Sequence, residues 1–301
     1  MSTQLSDEHR CGFIAVAGRP NVGKSTLVNA IVGQELCVVT PKAQTTRNRI
    51  TAIHSTSEAQ VILMDTPGIH EATTQLNKAL VAAAVKTLED ADMALMLVTP
   101  SEEIPEEDRR IIDALQNTGK NAVLAINKID TVAPTALLPV IELYSHAHDF
   151  QEIMPISALN GSGMPELLEV LVKLLPVGPP LFPEDDVSDL PVRFFVSEIV
   201  REQVIVLTGQ EIPYKTAVAV ESFKEKGDMA IIHADIHVER QSQKKIIIGK
   251  SGEMIKRIGT RARLKIEEFL QRPVHLDLFV KVSPHWTRNP QKIAEFGYGV
   301  K

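Results

Sequence analysis

Apolar residues fall in two rhythms along this chain. Between positions 12 and 175, unbroken apolar runs at 13–17, 61–64, 93–98 and 121–126 alternate with longer amphipathic stretches at 25–32, 76–88, 106–115 and 165–175. Unbroken runs predict strands buried on both faces, and the amphipathic stretches predict the helices that cover them. Residues 50–54 followed by 61–64 predict a hairpin, hence one antiparallel edge. The sum is an α/β domain with a doubly wound, mixed sheet.

The rhythm then breaks. Pro176, Pro179, Pro180, Pro183 and Pro191 fall close together, with Glu184, Asp185 and Asp186 among them. Proline disfavours both helix and central strand, so this stretch is expected to be a stiff, acidic linker. Beyond it a helical pattern at 194–207 precedes alternating strands at 214–223 and 230–238. Two helices around 252–270 and a strand at 274–282 follow, an α+β order. The expected division is 1–176, a linker at 177–191, a second domain at 192–283, and a tail at 284–301 whose short helix Pro290 starts. A length of 301 residues suits two domains.

Composition narrows the class. Charged residues at 23% and apolar residues at 44% are ordinary for a globular chain. Aromatic residues, at 4%, argue against a binding face built mainly from stacked rings. Two cysteines, Cys11 and Cys37, are too few for a disulfide framework and point to a reducing compartment. No apolar run approaches the roughly 18 residues of a membrane span, and the first twelve residues do not read as a signal peptide. The expectation is a soluble, cytoplasmic protein. The net charge of −6 hides an asymmetry, because residues 241–301 hold 13 Lys and Arg against 5 Asp and Glu. That block suits a polyanion, although a solvated basic helix face would look the same.

Chemistry concentrates in five stretches of the first half. Gly18-Arg19-Pro20-Asn21-Val22-Gly23-Lys24-Ser25, followed by Thr26, has P-loop spacing directly after a strand and before a helix. Its backbone amides can surround a phosphate, with Lys24 reaching the β- and γ-phosphates and Ser25 holding Mg²⁺. A packing turn is the plain alternative, and the context argues against it. Asp65-Thr66-Pro67-Gly68 ends a buried strand, where Asp65 can bind Mg²⁺ through water and the Gly68 amide can face a γ-phosphate. Asn127-Lys128-Ile129-Asp130 ends another strand. Its carboxylate can accept from guanine N1–H and the 2-amino group, whereas adenine would leave it unpaired. Ser157-Ala158-Leu159 can offer a backbone amide to guanine O6. Lys42-Ala43-Gln44-Thr45-Thr46-Arg47 has the place of a switch loop, with a threonine, Thr46, for Mg²⁺.

In the basic block, Ile246-Ile247-Ile248-Gly249-Lys250-Ser251-Gly252-Glu253-Met254-Ile255-Lys256-Arg257-Ile258 reads as helix, G-x-x-G loop, helix. Glycines allow a sugar–phosphate backbone close, while Lys250, Lys256, Arg257 and the helix N-terminus attract it. Lys244, Lys245, Arg261, Arg263 and Lys265 are expected to extend the positive face. Trp286 is expected either to cover the edge of this domain or to stack on a base. His233 and His237 read as strand surface, with no metal-ligand spacing among the histidines.

The five stretches resemble the translation-factor-related GTPases. Arg19-Pro20-Asn21-Val22, Gln44-Thr45-Thr46-Arg47 and Asp65-Thr66-Pro67-Gly68-Ile69-His70 are most similar to the Era branch, and the G-x-x-G segment resembles a type II KH domain. The resemblance covers nearly the whole chain. It implies Mg²⁺-dependent hydrolysis of GTP to GDP, with Lys24, Thr46 and Gly68 acting on the γ-phosphate. It implies RNA binding by Ile248, Gly249, Lys250, Ser251, Gly252, Lys256 and Arg257. The implied partners are the 3′ end of 16S ribosomal RNA and the 30S subunit, whose assembly it would serve as a monomer with a peripheral inner-membrane fraction. Ile69 stands where Ras-like proteins carry a water-orienting glutamine, so slow intrinsic hydrolysis is expected. In similar GTPases an asparagine at the place of Asn21 helps bind K⁺. Two other classes compete with this reading. A P-loop metabolite kinase is disfavoured by Asn127 and Asp130, and an RNA binder with an inert nucleotide fold by Lys24, Ser25 and Asp65.

Overall fold

The computed structural model describes residues 9–40, 42, 46–68, 74–209 and 211–298. Ala43, Gln44, Thr45, Ile69 and His70, singled out above, lie outside them. The first unit comprises β1 (Arg10–Ala17), α1 (Lys24–Val32), β2 (Ile50–Ser55), β3 (Ala59–Asp65), α2 (Gln75–Asp90), β4 (Met93–Val98), α3 (Glu106–Thr118), β5 (Ala122–Ile126), α4 (Leu137–Ser145), β6 (Glu152–Pro155) and α5 (Met164–Leu174). The sheet order is β2-β3-β1-β4-β5-β6. Only β2 runs antiparallel, with Ile50 opposite Asp65.

Strand geometry explains the unbroken apolar runs. Successive side chains point to opposite faces, so a strand covered on both sides must be apolar throughout. Ile14 and Val16 enter one core with Leu27, Leu95 and Leu167. Their neighbours Ala15 and Ala17 enter the other, with Met96, Ile111 and Leu124. Strand β1 lies between β3 and β4, so the loops at its carboxyl end open into the crevice where strand order reverses.

The second unit runs α6 (Val192–Leu207), β7 (Ala217–Lys226), β8 (Met229–Val238), α7 (Gln241–Ile248), α8 (Glu253–Leu270) and β9 (Val274–Val282). Strands β7 and β8 are antiparallel, and β8 and β9 parallel. Val196, Val200 and Val204 of α6 and Ile258, Ala262 and Ile266 of α8 pack on Ile232, Ala234 and Ile236. This α-β-β-α-α-β order is the type II KH arrangement.

Several elements depart from the sequence pattern. Helix α4 is not anticipated, because Pro139 breaks its sequence; its signal is Val140 and Tyr144, four residues apart and both buried. The strand expected from 214 starts at Ala217, since Ile212–Lys215 form a 3-10 turn containing Pro213. Of the two helices expected around 252–270, that stretch holds α8 alone, and α7 is the helix read before the G-x-x-G loop.

The expected stiff linker is instead a strap along the first sheet. The Gly178 amide donates to His9 O, the Ile53 amide to Val187 O, and the Leu181 and Phe182 amides to Gln60 Oε1. Prolines remove the donors that would build a helix there; the Leu181 and Phe182 amides find an acceptor on β3, and Val187 O accepts from β2.

Trp286 covers an edge and does not offer its ring to solvent. It is fully buried, with Leu76 and Leu80 of α2 and with Ala217, Ile293 and Tyr298, and its Nε1 donates to Lys215 O at 3.0 Å. A final helix, α9 (Pro290–Glu295), closes this cluster. Trp286→Ala should destabilise the protein by about 3–5 kcal/mol, the range for truncating a buried tryptophan. Urea unfolding checks this, and a loss below about 1 kcal/mol would contradict the packing role.

Candidate functional site

Left-handed backbone shapes the turn from β1 into α1. Gly23, at the N-cap of α1, has φ +104°, and Asn21 is also left-handed at φ +65°. Lys24 is buried, and its ammonium donates to Gly18 O at 2.9 Å and Arg19 O at 3.2 Å. Gly68 closes over the turn, where a Cβ would lie 2.8 Å from Pro20 N; no larger residue could approach so closely. The cleft holds about 460 Å³, and its lining includes Pro20, Asn21, Thr26, Thr46, Gly68 and Lys128. Val22 is buried beneath it. Thr66 and Pro67 are buried too, and Thr66 Oγ1 donates to Val16 O.

Three oxygens converge on one side. Ser25 Oγ donates to Asp65 Oδ2 at 2.8 Å, Thr46 Oγ1 donates to the same oxygen at 3.2 Å, and the two hydroxyls lie 3.0 Å apart. The other carboxylate oxygen, Oδ1, is buried without a hydrogen-bond partner. Burial pushes the Asp65 carboxyl above its ordinary range, against the pull of Lys24, the two hydroxyls and the nearby Cys37 thiol. Burial pushes the Lys24 ammonium below its own. A divalent cation and a phosphate would supply the charges these desolvated groups lack. An all-oxygen set with an orphaned carboxylate oxygen fits Mg²⁺.

On the opposite side, Asn127 spans the site. Its Nδ2 donates to Val22 O at 2.8 Å and its Oδ1 accepts from the Ala158 amide at 2.9 Å. Lys128, left-handed at φ +66°, donates through Nζ to Asn21 O at 2.7 Å. Ser157 Oγ donates to Asp130 Oδ1 at 2.6 Å, holding an exposed carboxylate in place. Leu159, next on that loop, is 81% exposed. P-loop, strand end and loop thus form one hydrogen-bonded frame.

The switch stretch reaches both units. Thr46 faces Ser25 and Asp65, while Arg47 points into the second unit. Its guanidinium donates to Pro213 O and Thr216 O, each at 2.7 Å, and lies over the rings of Trp286 and Tyr298. Lys42 Nζ donates to Ile205 O and Thr208 O at the end of α6. Sequence reasoning assigns Arg47 no such role; its only signal is a basic residue in an otherwise polar loop.

In the second unit the G-x-x-G residues form a 3-10 turn, Lys250–Gly252, between α7 and α8. Gly249 has φ +76°, and a Cβ there would meet Met254 N at 2.8 Å. Lys250, Ser251, Lys256 and Arg257 are exposed, and Ile248 is half-buried. Beside them a groove of about 330 Å³ runs between α8 and β9, lined by Ile255, Lys256, Gly259, Arg263, Leu276 and Leu278 among others. Lys265 does not belong to this basic face. It pairs with Glu202 at 2.9 Å and Glu35 at 3.4 Å, joining the two units. Arg263 is matched by Glu267.

Among the described residues, Glu221, Asp235 and His237 lie close enough to share a cation. Lys281 already pairs with Asp235 there. The group therefore has its own counter-ion.

Fold and site together define a P-loop guanine-nucleotide-binding protein joined to a KH-type module. Residues 13–128 match the family model described as a 50S ribosome-binding GTPase, and residues 211–287 match the KH domain. The chain is 48% identical to the GTPase Era of Syntrophus aciditrophicus (strain SB) over 291 residues, 96% of this chain and 95% of the relative. It is likewise 48% identical to the GTPase Era of Geotalea uraniireducens (strain Rf4), covering 97% and 98%. The crystal structure of a point variant of Aquifex aeolicus Era bound to GDP·AlF4⁻ superposes with a TM-score of 0.93 at 41% identity, over 97% of this chain and all of that one. The structure of Era with MgGDPNP and nucleotides 1506–1542 of 16S ribosomal RNA gives the same TM-score, identity and coverage. The chain belongs to the Era family, and it is a GTPase.

Asp65→Asn keeps the shape of the three-oxygen cluster and removes its charge. The Mg²⁺ concentration needed for half-maximal GTP turnover should rise about tenfold or more, on the scale of altered metal-site ligation. A Mg²⁺ titration of turnover checks this, and an unchanged requirement would contradict the assignment.

Proposed function

We propose that this GTPase binds the 3′ end of 16S ribosomal RNA and acts in assembly of the 30S subunit. The observation that carries the proposal is Arg47, one residue from the Thr46–Asp65 contact and buried in the KH-type unit. It ties the switch stretch to the unit that carries the basic groove. The Era complex with a 16S fragment supports the choice of RNA. The division at 1–176, 177–191, 192–283 and 284–301 is retained as a proposal.

In this reading Gly18 to Thr26 form the phosphate cradle, and Ser25, Thr46 and Asp65 hold Mg²⁺, Asp65 through water. Mg²⁺ would neutralise charge on the β- and γ-phosphates. Lys24, released from Gly18 O and Arg19 O, turns to the same phosphates. Thr46 and Gly68 respond to the γ-phosphate and relax when it leaves. Asn127, Lys128 and Asp130 hold guanine, and the Ser157–Ala158–Leu159 loop turns an amide toward its O6. Asn21 would help bind K⁺, which would supply charge where the Ile69 side chain has no hydrogen-bonding group. Backbone phosphates of the RNA lie against Gly249, Lys250, Ser251 and Gly252, flanked by Ile248, Lys256 and Arg257. The same basic face would serve a peripheral contact with the inner membrane. The reading places a monomer in the cytoplasm.

Asp130→Asn should weaken GTP and improve xanthosine triphosphate, because an amide can donate to xanthine's 2-oxo group. Competition binding measures the ratio, and no relative gain for the xanthine nucleotide would refute the base-reading role. Replacing K⁺ by Na⁺ should slow turnover more than it weakens GTP binding; equal rates in the two salts would reject K⁺ assistance.

Changing Lys250 and Ser251 together to Asp should lower affinity for a 16S 3′-end fragment and flatten its salt dependence, since phosphate contacts release counterions. Intrinsic GTP binding should survive. A salt series by filter binding reads both terms, and parent-like RNA binding would move the RNA site off this loop.

A further inference from the structure

The phosphate cradle is held at two shoulders, and only one is explained by base recognition. Asn127 and Lys128 hold the shoulder at Asn21 and Val22. At the other, Arg19 turns its side chain away from the cleft. Its Nη2 donates to Thr99 Oγ1, just past β4, and its Nε lies 3.5 Å from Asp108 Oδ2. That carboxylate oxygen also accepts from Tyr144 OH at 2.8 Å.

We propose that Asp108 and Tyr144 are positioning residues for GTP binding, acting through Arg19 to fix the P-loop backbone. This rests on the P-loop reading of the nucleotide site.

The burial pattern supports it. Asp108 sits in the first turn of α3 beside Glu106 and Glu107, and any of the three could favour the helix N-terminus. Asp108 alone among them is fully buried, and Tyr144 is fully buried beside it. Withdrawing a carboxylate from water is expensive, and apolar residues of similar volume often replace buried ionic groups without loss. Packing alone therefore does not call for this pair. What it does is orient Arg19, whose own carbonyl and that of Gly18 receive the Lys24 ammonium. A cradle held at both shoulders presents its amides without ordering them on binding, which raises affinity by pre-organisation. The chain Tyr144–Asp108–Arg19 also links α4 and α3 to the phosphate side of the cleft.

The test uses full-length Asp108→Asn, Arg19→Gln and Tyr144→Phe, with fluorescent GDP binding, the ³¹P resonance of the bound GDP β-phosphate, and thermal unfolding. Asp108→Asn and Arg19→Gln should each weaken GDP about tenfold, the factor that 1.4 kcal/mol represents, and shift the β-phosphate resonance. The double variant should bind no worse than either single one, because both break the same link. Tyr144→Phe should act in the same direction by a smaller factor. Should Asp108→Asn fail to fold, Arg19→Gln and Tyr144→Phe carry the test, since the Arg19 side chain is already 27% exposed. A lowered unfolding temperature with unchanged GDP affinity and ³¹P resonance would overturn the proposal, as would losses that simply add. Lys24→Ala is the control for the underlying reading. If it abolishes GDP binding while the three variants bind normally, only the positioning role fails. If Lys24→Ala binds normally, the P-loop reading fails with it.

Discussion

Two consecutive residues face in opposite directions, and much of the molecule's logic depends on that. Thr46 meets Ser25 and Asp65, while Arg47 is buried in the second unit, 2% exposed, between two carbonyls and two aromatic rings. A buried guanidinium is tolerable only where its lost hydration is replaced. Pro213 O and Thr216 O supply acceptors, and Trp286 and Tyr298 supply ring faces. Thr46 therefore cannot travel far without disturbing that pocket. The same pocket contains Leu76 and Leu80 of α2.

The rest of the contact between the units shares this character. Phe195 and Phe269 pack against the first core, burying apolar area that water would otherwise cover. Lys265 bridges Glu202 and Glu35 at the edge, where an exposed ion pair contributes little to stability but fixes register. The segment 176–191 crosses between the units bonded to β2 and β3, through Ile53, Thr51 and Gln60. The stretch expected as a stiff linker is thus fastened to the first sheet along its length.

How far the sequence could be read depends on how local each cause is. The P-loop was legible because strand, glycine spacing and helix follow one another directly between Arg10 and Val32. Asp65 and Asn127 followed from the strands they terminate, and the G-x-x-G turn from the apolar residues around it. Contacts set by the meeting of distant elements were not legible. Nothing near Arg47 indicates that Pro213 and Thr216 would receive it, and nothing near Lys265 sends it to Glu35 rather than to the basic face. Asp108 reads as one more acidic residue in a helix's first turn until Tyr144, 36 residues later, is seen to donate to it. Pro139 hid α4 for a local reason, because a proline in its first turn resembles a break.

In the proposed function, nucleotide site and KH-type unit are linked through the stretch containing Thr46 and Arg47. Linkage is reciprocal, so a nucleotide that alters this stretch must alter RNA affinity by the same factor that RNA alters nucleotide affinity. The direct measurement is the dissociation constant of a 16S 3′-end fragment for the chain loaded with a non-hydrolysable GTP analogue and then with GDP, at one fixed salt concentration. The two values should differ by at least about fivefold, the lower end of typical coupling between sites. Arg47→Ala should collapse that ratio toward one. Equal affinities in the two nucleotide states of the parent protein would rule this linkage out.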